Sequence, residues 1–300
     1  MPTLRQSLVS SIVRQYPLYS GCGTLANHRG VQRLAGPGHD LAWVRVHGGQ
    51  YVAAPLSDWV GRALFYAGDL DRKLTWICSR LVRPGDIVLD IGANLGLVSF
   101  ILSALVGPGG TVHAFEPIPQ MQDLIEQGMR RNGVSNITLH KVALGEKSGE
   151  LTLSIPKGNV GAASLVAERR AGESEEILVP VRRLTTELPA GLGPIRLMKI
   201  DVEGFEPQVL TGAADLLRNN PPDAILFELN DAHGDLREHR TIRLLADAGY
   251  RFFSIPKCYL RMRLLPYDHE RDATAPGHDF VAARSGLVYS EAARRLRVAE

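Results

Sequence analysis

The run Asp90-Ile91-Gly92-Ala93-Asn94-Leu95-Gly96 is the first place where residue types and spacing could do chemistry. Glycines at 92 and 96 let a backbone turn sharply and let a ligand approach with no Cβ in the way. A helix starting after them would offer its N-terminal N–H groups and the positive end of its dipole. The spacing is Gly-x-Asn-x-Gly, followed by Leu97 and Val98. It lacks the third glycine that close helix–strand packing around a dinucleotide pyrophosphate requires. The loop therefore suits a nucleoside with a charged amino-acid tail, and Asp90 stands where it could receive an ammonium group. Glu116 lies twenty positions after Gly96, the distance at which an acidic side chain meets a ribose diol. A carboxylate only accepts hydrogen bonds and so matches two vicinal hydroxyls. Further on, Lys141-Val142-Ala143-Leu144-Gly145 places the small Ala143 where main chain could hydrogen-bond a flat base. A plain strand continuation would look the same.

A second acidic group closes Met198-Lys199-Ile200-Asp201-Val202-Glu203-Gly204-Phe205-Glu206. Asp201 and Glu203 are two apart, and extended backbone would put both on one face. Neighbouring carboxylates tend to hold a proton between them, which lifts one pKa toward that of a useful general base. Gly204 lets the chain bend back, and Glu206 suits a helix N-terminus. A helix-capping cluster is the alternative for these residues.

The elements that must position these groups alternate. Strands are predicted at 87–91, 111–115, 137–140, 196–201, 224–229, 251–255 and 280–283, with a hairpin from 150–155 to 177–181. Helices are predicted at 71–81, 97–106, 121–132, 206–218 and 241–248, stopped by glycines such as Gly107, Gly133 and Gly249. Strands alternating with helices of this length mean βαβ units and a parallel sheet covered on both faces. Ligands of such sheets bind beyond the carboxyl ends of the strands, where the acidic and glycine residues fall. The expected organisation is an N-terminal cap over 1–60, one α/β domain over 61–285 and a tail over 286–300. The cap shows little regular structure beyond a hairpin around Gly48–Gly49.

Composition narrows the class. The 300 residues are 45% apolar and 22% charged, enough for a large core, with a net charge of +2. So even a balance carries no footprint for nucleic acid or an anionic membrane. Cys22, Cys78 and Cys258 form neither a disulfide framework nor a metal spacing, which fits a reducing compartment. No stretch reads as a membrane span or secretory signal. A soluble, cytoplasmic protein is expected.

Together, Phe65-Tyr66…Gly68-Asp69-Leu70-Asp71, Pro84-Gly85-Asp86…Asp90 to Gly96, Phe115-Glu116-Pro117, Val142-Ala143-Leu144-Gly145 and Lys199-Ile200-Asp201-Val202-Glu203-Gly204 resemble the FkbM family of S-adenosylmethionine-dependent methyltransferases over about residues 60–285. The resemblance implies a Rossmann-like class I methyltransferase fold, a mostly parallel seven-stranded sheet with helices on both faces. It implies S-adenosyl-L-methionine as cofactor, held by Asp90, Gly92, Asn94, Gly96, Glu116 and Ala143. It also implies methyl transfer to a hydroxyl of a sugar or natural product. Asp201 or Glu203 would be the catalytic base, with Glu228 and His233 in reserve. No metal is assigned, although Asp201, Glu203 and Glu228 could together hold Mg²⁺. The family usually has Glu where this chain has Asp71, one methylene shorter. The stretch Gly158 to Leu165 resembles a family loop near the cofactor or acceptor, with Ser164 as a polar contact. An oxidoreductase using NAD(P) and a non-catalytic nucleoside-binding module are the alternatives. The expected partner is a hydroxylated small molecule, a glycoside or polyketide-like alcohol, rather than nucleic acid or membrane.

Overall fold

The computed structural model describes residues 2–38, 40–165, 174–229 and 234–298. In chain order the elements begin with α1 (Leu4–Val13), α2 (Cys22–Ala26), α3 (Arg29–Ala35), β1 (Leu41–Arg45), β2 (Tyr51–Pro55), α4 (Trp59–Ala67) and α5 (Arg72–Leu81). Next come β3 (Ile87–Ile91), α6 (Leu97–Val106), β4 (Thr111–Phe115), α7 (Pro119–Asn132), β5 (Ile137–His140), β6 (Ala143–Leu144), β7 (Gly149–Pro156) and β8 (Ser174–Arg182). The chain continues through α8 (Leu184–Glu187), β9 (Ile195–Ile200), α9 (Glu206–Gly212), α10 (Ala214–Asn219), β10 (Ala224–Glu228) and α11 (Arg240–Asp247). It closes with β11 (Tyr250–Ile255), β12 (Leu265–Tyr267), β13 (Asp279–Arg284) and α12 (Leu287–Leu296).

The main sheet has the order β12-β11-β13-β10-β9-β3-β4-β5. The five strands from β10 to β5 run parallel, whereas β13 is antiparallel to both β10 and β11. This is the Rossmann-like class I methyltransferase arrangement with one short strand, β12, added at the edge. Three residues containing Pro266 give little strand signal, and an edge is where a strand tolerates proline. The central strands are apolar runs buried on both faces, as parallel strands between helical layers must be; β3 reads Ile-Val-Leu-Asp-Ile and is almost wholly buried. Likewise α6 is apolar nearly all round and buried at seven of its ten positions. A smaller sheet of β6, β8 and β7 stands beside the parallel strands, with the expected β7–β8 hairpin.

Three readings are corrected. The first 60 residues hold three helices besides the β1–β2 hairpin. Their signal was weak because the buried face of α1 mixes Gln6 and Ser10 with Val13 rather than forming an apolar stripe. The expected 206–218 helix is two, since α9 stops at Gly212, a poor helix former that passes against the Gly145 carbonyl. The 286–300 tail contains α12, which buries Ala292 and Leu296.

Candidate functional site

Chain order runs outward from β3 to β4 and β5, then returns on its other side at β9. The carboxyl ends of β3 and β9 are thus the topological switch point where open α/β sheets bind ligands. The two ends touch, as the Asp201 N–H donates to the Ile91 carbonyl at 3.1 Å. Gly92 has φ +79°, and a Cβ there would lie 2.0 Å from the Asp201 carbonyl oxygen. Glycine is needed at 92 for both reasons. The main-chain N–H groups of Gly92 and Ala93 donate to the Phe115 carbonyl, tying the loop to β4. Asn94 is held at φ +52°, a strained conformation of the kind that clusters at ligand sites.

Asn94 and Glu116 are joined directly. The Asn94 N–H donates to Glu116 Oε2 at 2.7 Å, and the Ile118 N–H donates to Oε1 at 2.8 Å. Burial pushes the Glu116 carboxyl up to about 7 against those two donors. Glu116, Asn94, Gly92 and Ala143 all line one cleft of about 580 Å³. Gly96 does not line it; a Cβ at 96 would press on Phe100 and Ile125, so this glycine serves the turn.

Asp90 does not line the cleft and is fully buried. Its Oδ2 accepts from Ser99 Oγ at 2.5 Å and its Oδ1 is 3.3 Å from Lys199 Nζ. The ammonium it meets in this structure is that of Lys199. The same Nζ donates to the Gly92 carbonyl at 2.7 Å and lies 3.7 Å from Asp201 Oδ2. Burial works against its charge, but Asp90 and Asp201 outweigh it and raise the Lys199 pKa. Lys199 thus joins the glycine loop, Asp90 and Asp201. The signal for it was a single lysine inside the otherwise apolar β9.

The expected extended Asp201–Glu203 pair is replaced by a turn. The strand ends at Ile200, and Glu203 takes φ +54°, so alternation no longer governs where these side chains go. Glu206 organises the turn, its Oε1 accepting the N–H groups of Val202 and Gly204. Ser164 closes it from outside by donating its hydroxyl to the Glu203 carbonyl at 2.9 Å. Both Asp201 and Glu203 line the cleft.

Asp201 also lines a second cavity of about 530 Å³ with Asp71, Lys199, Glu228 and Asp279. The β10–β13 pairing sets Glu228 opposite Asp279. Burial, then Asp201 and Asp279, pushes the Glu228 carboxyl up to about 8. Burial raises Asp71 to about 6, partly offset by Lys73. Asp71 accepts the Lys73 N–H as N-cap of α5, and the Lys73 ammonium bonds Asp279. His233 lies outside the described residues. Among those described, no group of three or more His, Cys, Asp or Glu is arranged to hold a metal ion.

The cleft is lined by Val142-Ala143-Leu144, by the buried carboxylate of Glu116, and by Asn94, Gly92 and Asp201. These residues fit S-adenosylmethionine.

Residues 90–252, more than half of the chain, match the family model for the methyltransferase FkbM domain. The chain is similar to the 31-O-demethyl-FK506 methyltransferase FkbM of Streptomyces tacrolimicus, 32% identical over 201 residues, covering 56% of this chain and 74% of that protein. It is also similar to Methyltransferase 1 of Beauveria bassiana (strain ARSEF 2860), 29% identical over 187 residues, covering 56% and 73%. A solved FkbM methyltransferase from Methylobacillus flagellatus KT aligns with a TM-score of 0.41 and 14% identity, over 92% of this chain and 58% of that one. The matched span carries the glycine loop, Glu116 and the β9 turn together, and the chain belongs to the FkbM family of S-adenosylmethionine-dependent methyltransferases.

Proposed function

We propose that the protein methylates a hydroxyl oxygen of a sugar or natural-product small molecule seated in the second cavity. One observation carries this reading: among the described residues, Asp201 alone lines both the cofactor cleft and that cavity. When bound, S-adenosylmethionine supplies a methyl group on a sulfonium, already electrophilic. The chain's task is then to orient the acceptor, which can supply about 7–11 kcal/mol, and to remove its proton, worth roughly 10²–10⁴ in rate. Asp201 at the junction is the proposed base. Glu203 faces the cleft only, and Glu228 faces the cavity from the far side. Asp90 acts through Lys199, which holds the Gly92 carbonyl and the Asp201 carboxylate in place. A relative named as a 31-O-demethyl-FK506 methyltransferase supports an oxygen acceptor. Three free, buried cysteines fit a reducing cytoplasm.

Calorimetry with S-adenosylmethionine and its demethylated product tests the cleft, and a labelled-methyl screen of glycosides and polyketide alcohols tests the acceptor. At saturating cofactor, Asp201→Asn should lower kcat by about 10²-fold or more. Unchanged turnover in Asp201→Asn and Glu203→Gln would remove the base assignment. A kcat that rises through about pH 8 and loses that rise in Glu228→Gln would move the base to Glu228.

A further inference from the structure

We propose that α1 and the loop at 257–263 form a docking surface for an anionic lipid bilayer. The first observation is that α1 leaves an apolar stripe uncovered. Leu4, Leu8 and Ile12, spaced four apart on one face, are 79%, 59% and 72% exposed. The opposite face buries Val13 at 7%, packs Val9 against the core and buries two polar residues, Gln6 and Ser10, at 2% and 5%. Those two are satisfied by the main chain: Gln6 Nε2 donates to the Pro37 carbonyl at 2.9 Å, and Ser10 Oγ to the Phe65 carbonyl at 2.8 Å. The helix is therefore fastened by a mixed face of Val9, Val13, Gln6 and Ser10, and the Leu4, Leu8 and Ile12 stripe turns outward. An apolar stripe of this kind on a helix flanked by cations is what binds in the plane of a membrane interface.

Charge selects the partner. No acidic residue occurs before Asp40, whereas Arg5, Arg14, Arg29 and Arg33 do. Arg14 turns inward to the Phe65 carbonyl, while Arg5, Arg29 and Arg33 are exposed. Leu34, also exposed, sits on α3, whose last-turn carbonyls accept hydrogen bonds from the Arg5 guanidinium. The chain leaving α1 is pinned to a second such segment. The Tyr19 N–H donates to the Tyr259 carbonyl at 2.9 Å and the Ser20 N–H to the Cys258 carbonyl at 2.8 Å. That loop exposes Tyr259 and Leu260 among exposed Lys257, Arg261 and Arg263, and the next acid after it is Asp268. The near-neutral charge of the whole chain conceals this segregation. A second copy packed about a two-fold axis would set these cations against themselves; an anionic leaflet attracts all of them.

Sedimentation of the full chain with vesicles tests this. The probes are phosphatidylcholine alone and phosphatidylcholine with about a third phosphatidylglycerol. The protein should bind the anionic vesicles about tenfold more than the neutral ones, and lose most of that binding as salt shortens the Debye length from about 10 Å toward 3 Å. Leu8→Asp with Ile12→Asp should reduce partitioning about tenfold or more, and Arg29→Glu with Arg33→Glu severalfold, with thermal midpoint and cofactor binding unchanged. The wild-type salt titration needs no variant, so a misfolded variant leaves the test intact. No binding to either vesicle overturns the proposal. So does a concentration-dependent dimer in ultracentrifugation that Leu8→Asp with Ile12→Asp disperses, because a second copy would then be the occupant.

Discussion

Replacing Lys199 by methionine keeps most of the side-chain volume and removes the charge. The Asp90 carboxylate would then stay fully buried with the Ser99 hydroxyl as its remaining side-chain donor among the described residues. The Gly92 carbonyl would lose the donor now 2.7 Å away. Breaking a buried ion pair by removing one partner costs about 3–5 kcal/mol, against a total stability of about 5–15 kcal/mol. At roughly 2–4 °C per kcal/mol for large domains, the melting midpoint should fall on the order of 10 °C. Adding Asp90→Asn removes the stranded charge, and the double variant should recover about 2–3 kcal/mol of the loss. Urea unfolding of the wild type, both single variants and the double variant closes the cycle, and cofactor calorimetry on each reports the state of the loop. A double variant no more stable than Lys199→Met would show that Asp90 is not the charge Lys199 compensates. That would refute the buried bridge as the organiser of the loop.

Two further predictions follow from the same loop. Gly92→Ala should lose about 2–5 kcal/mol, combining about 1–2 for left-handed backbone with about 1–3 for the clash against the Asp201 carbonyl; Gly133→Ala, at φ +62° with open space around it, should lose only the backbone part, and equal losses by urea unfolding would refute the close approach. Because Glu116 has a raised folded pKa of about 7, its contribution to stability is fully present below about pH 4.5 and is lost as pH rises through 7. Without cofactor, Glu116→Gln should therefore gain relative to wild type between pH 5 and pH 8 by up to about 3 kcal/mol, yet bind cofactor about tenfold or more weakly at pH 8; parallel pH profiles would contradict the assignment.

Much of the first cleft was legible in one dimension. β3, α6 and β4 start and stop where their apolar runs meet glycine, proline or a charge, since burial between layers imposes that pattern locally. The Gly-x-Asn-x-Gly spacing and the acid twenty residues later lie on consecutive βα units, whose register follows from the crossover between neighbouring strands. Gly92, Asn94, Glu116 and Ala143 accordingly meet in one cleft. The β9 segment was readable as an acidic turn but not in its geometry, because period-two alternation ends with the strand at Ile200 and Glu203 enters the left-handed region.

Tertiary structure decided the rest. Asp71, Asp201, Glu228 and Asp279 are strangers in sequence; they share a cavity because β13 inserts between β10 and β11 and sets Asp279 opposite Glu228. No local pattern encodes that insertion. The outward stripe of α1 was invisible for a related reason: periodicity tells that a helix has two faces, while the carbonyls of Pro37 and Phe65, supplied from far along the chain, let Gln6 and Ser10 join Val13 on the inside. Lys199 shows both at once. The sequence of β9 determined that a cation lies in an apolar strand, and only the folded neighbours β3 and the glycine loop, by bringing Asp90 and the Gly92 carbonyl within reach of its ammonium, decided that it stays charged there. Burial alone penalises a charge; the electrostatics that reverse the penalty come from strands the chain must cross over to reach.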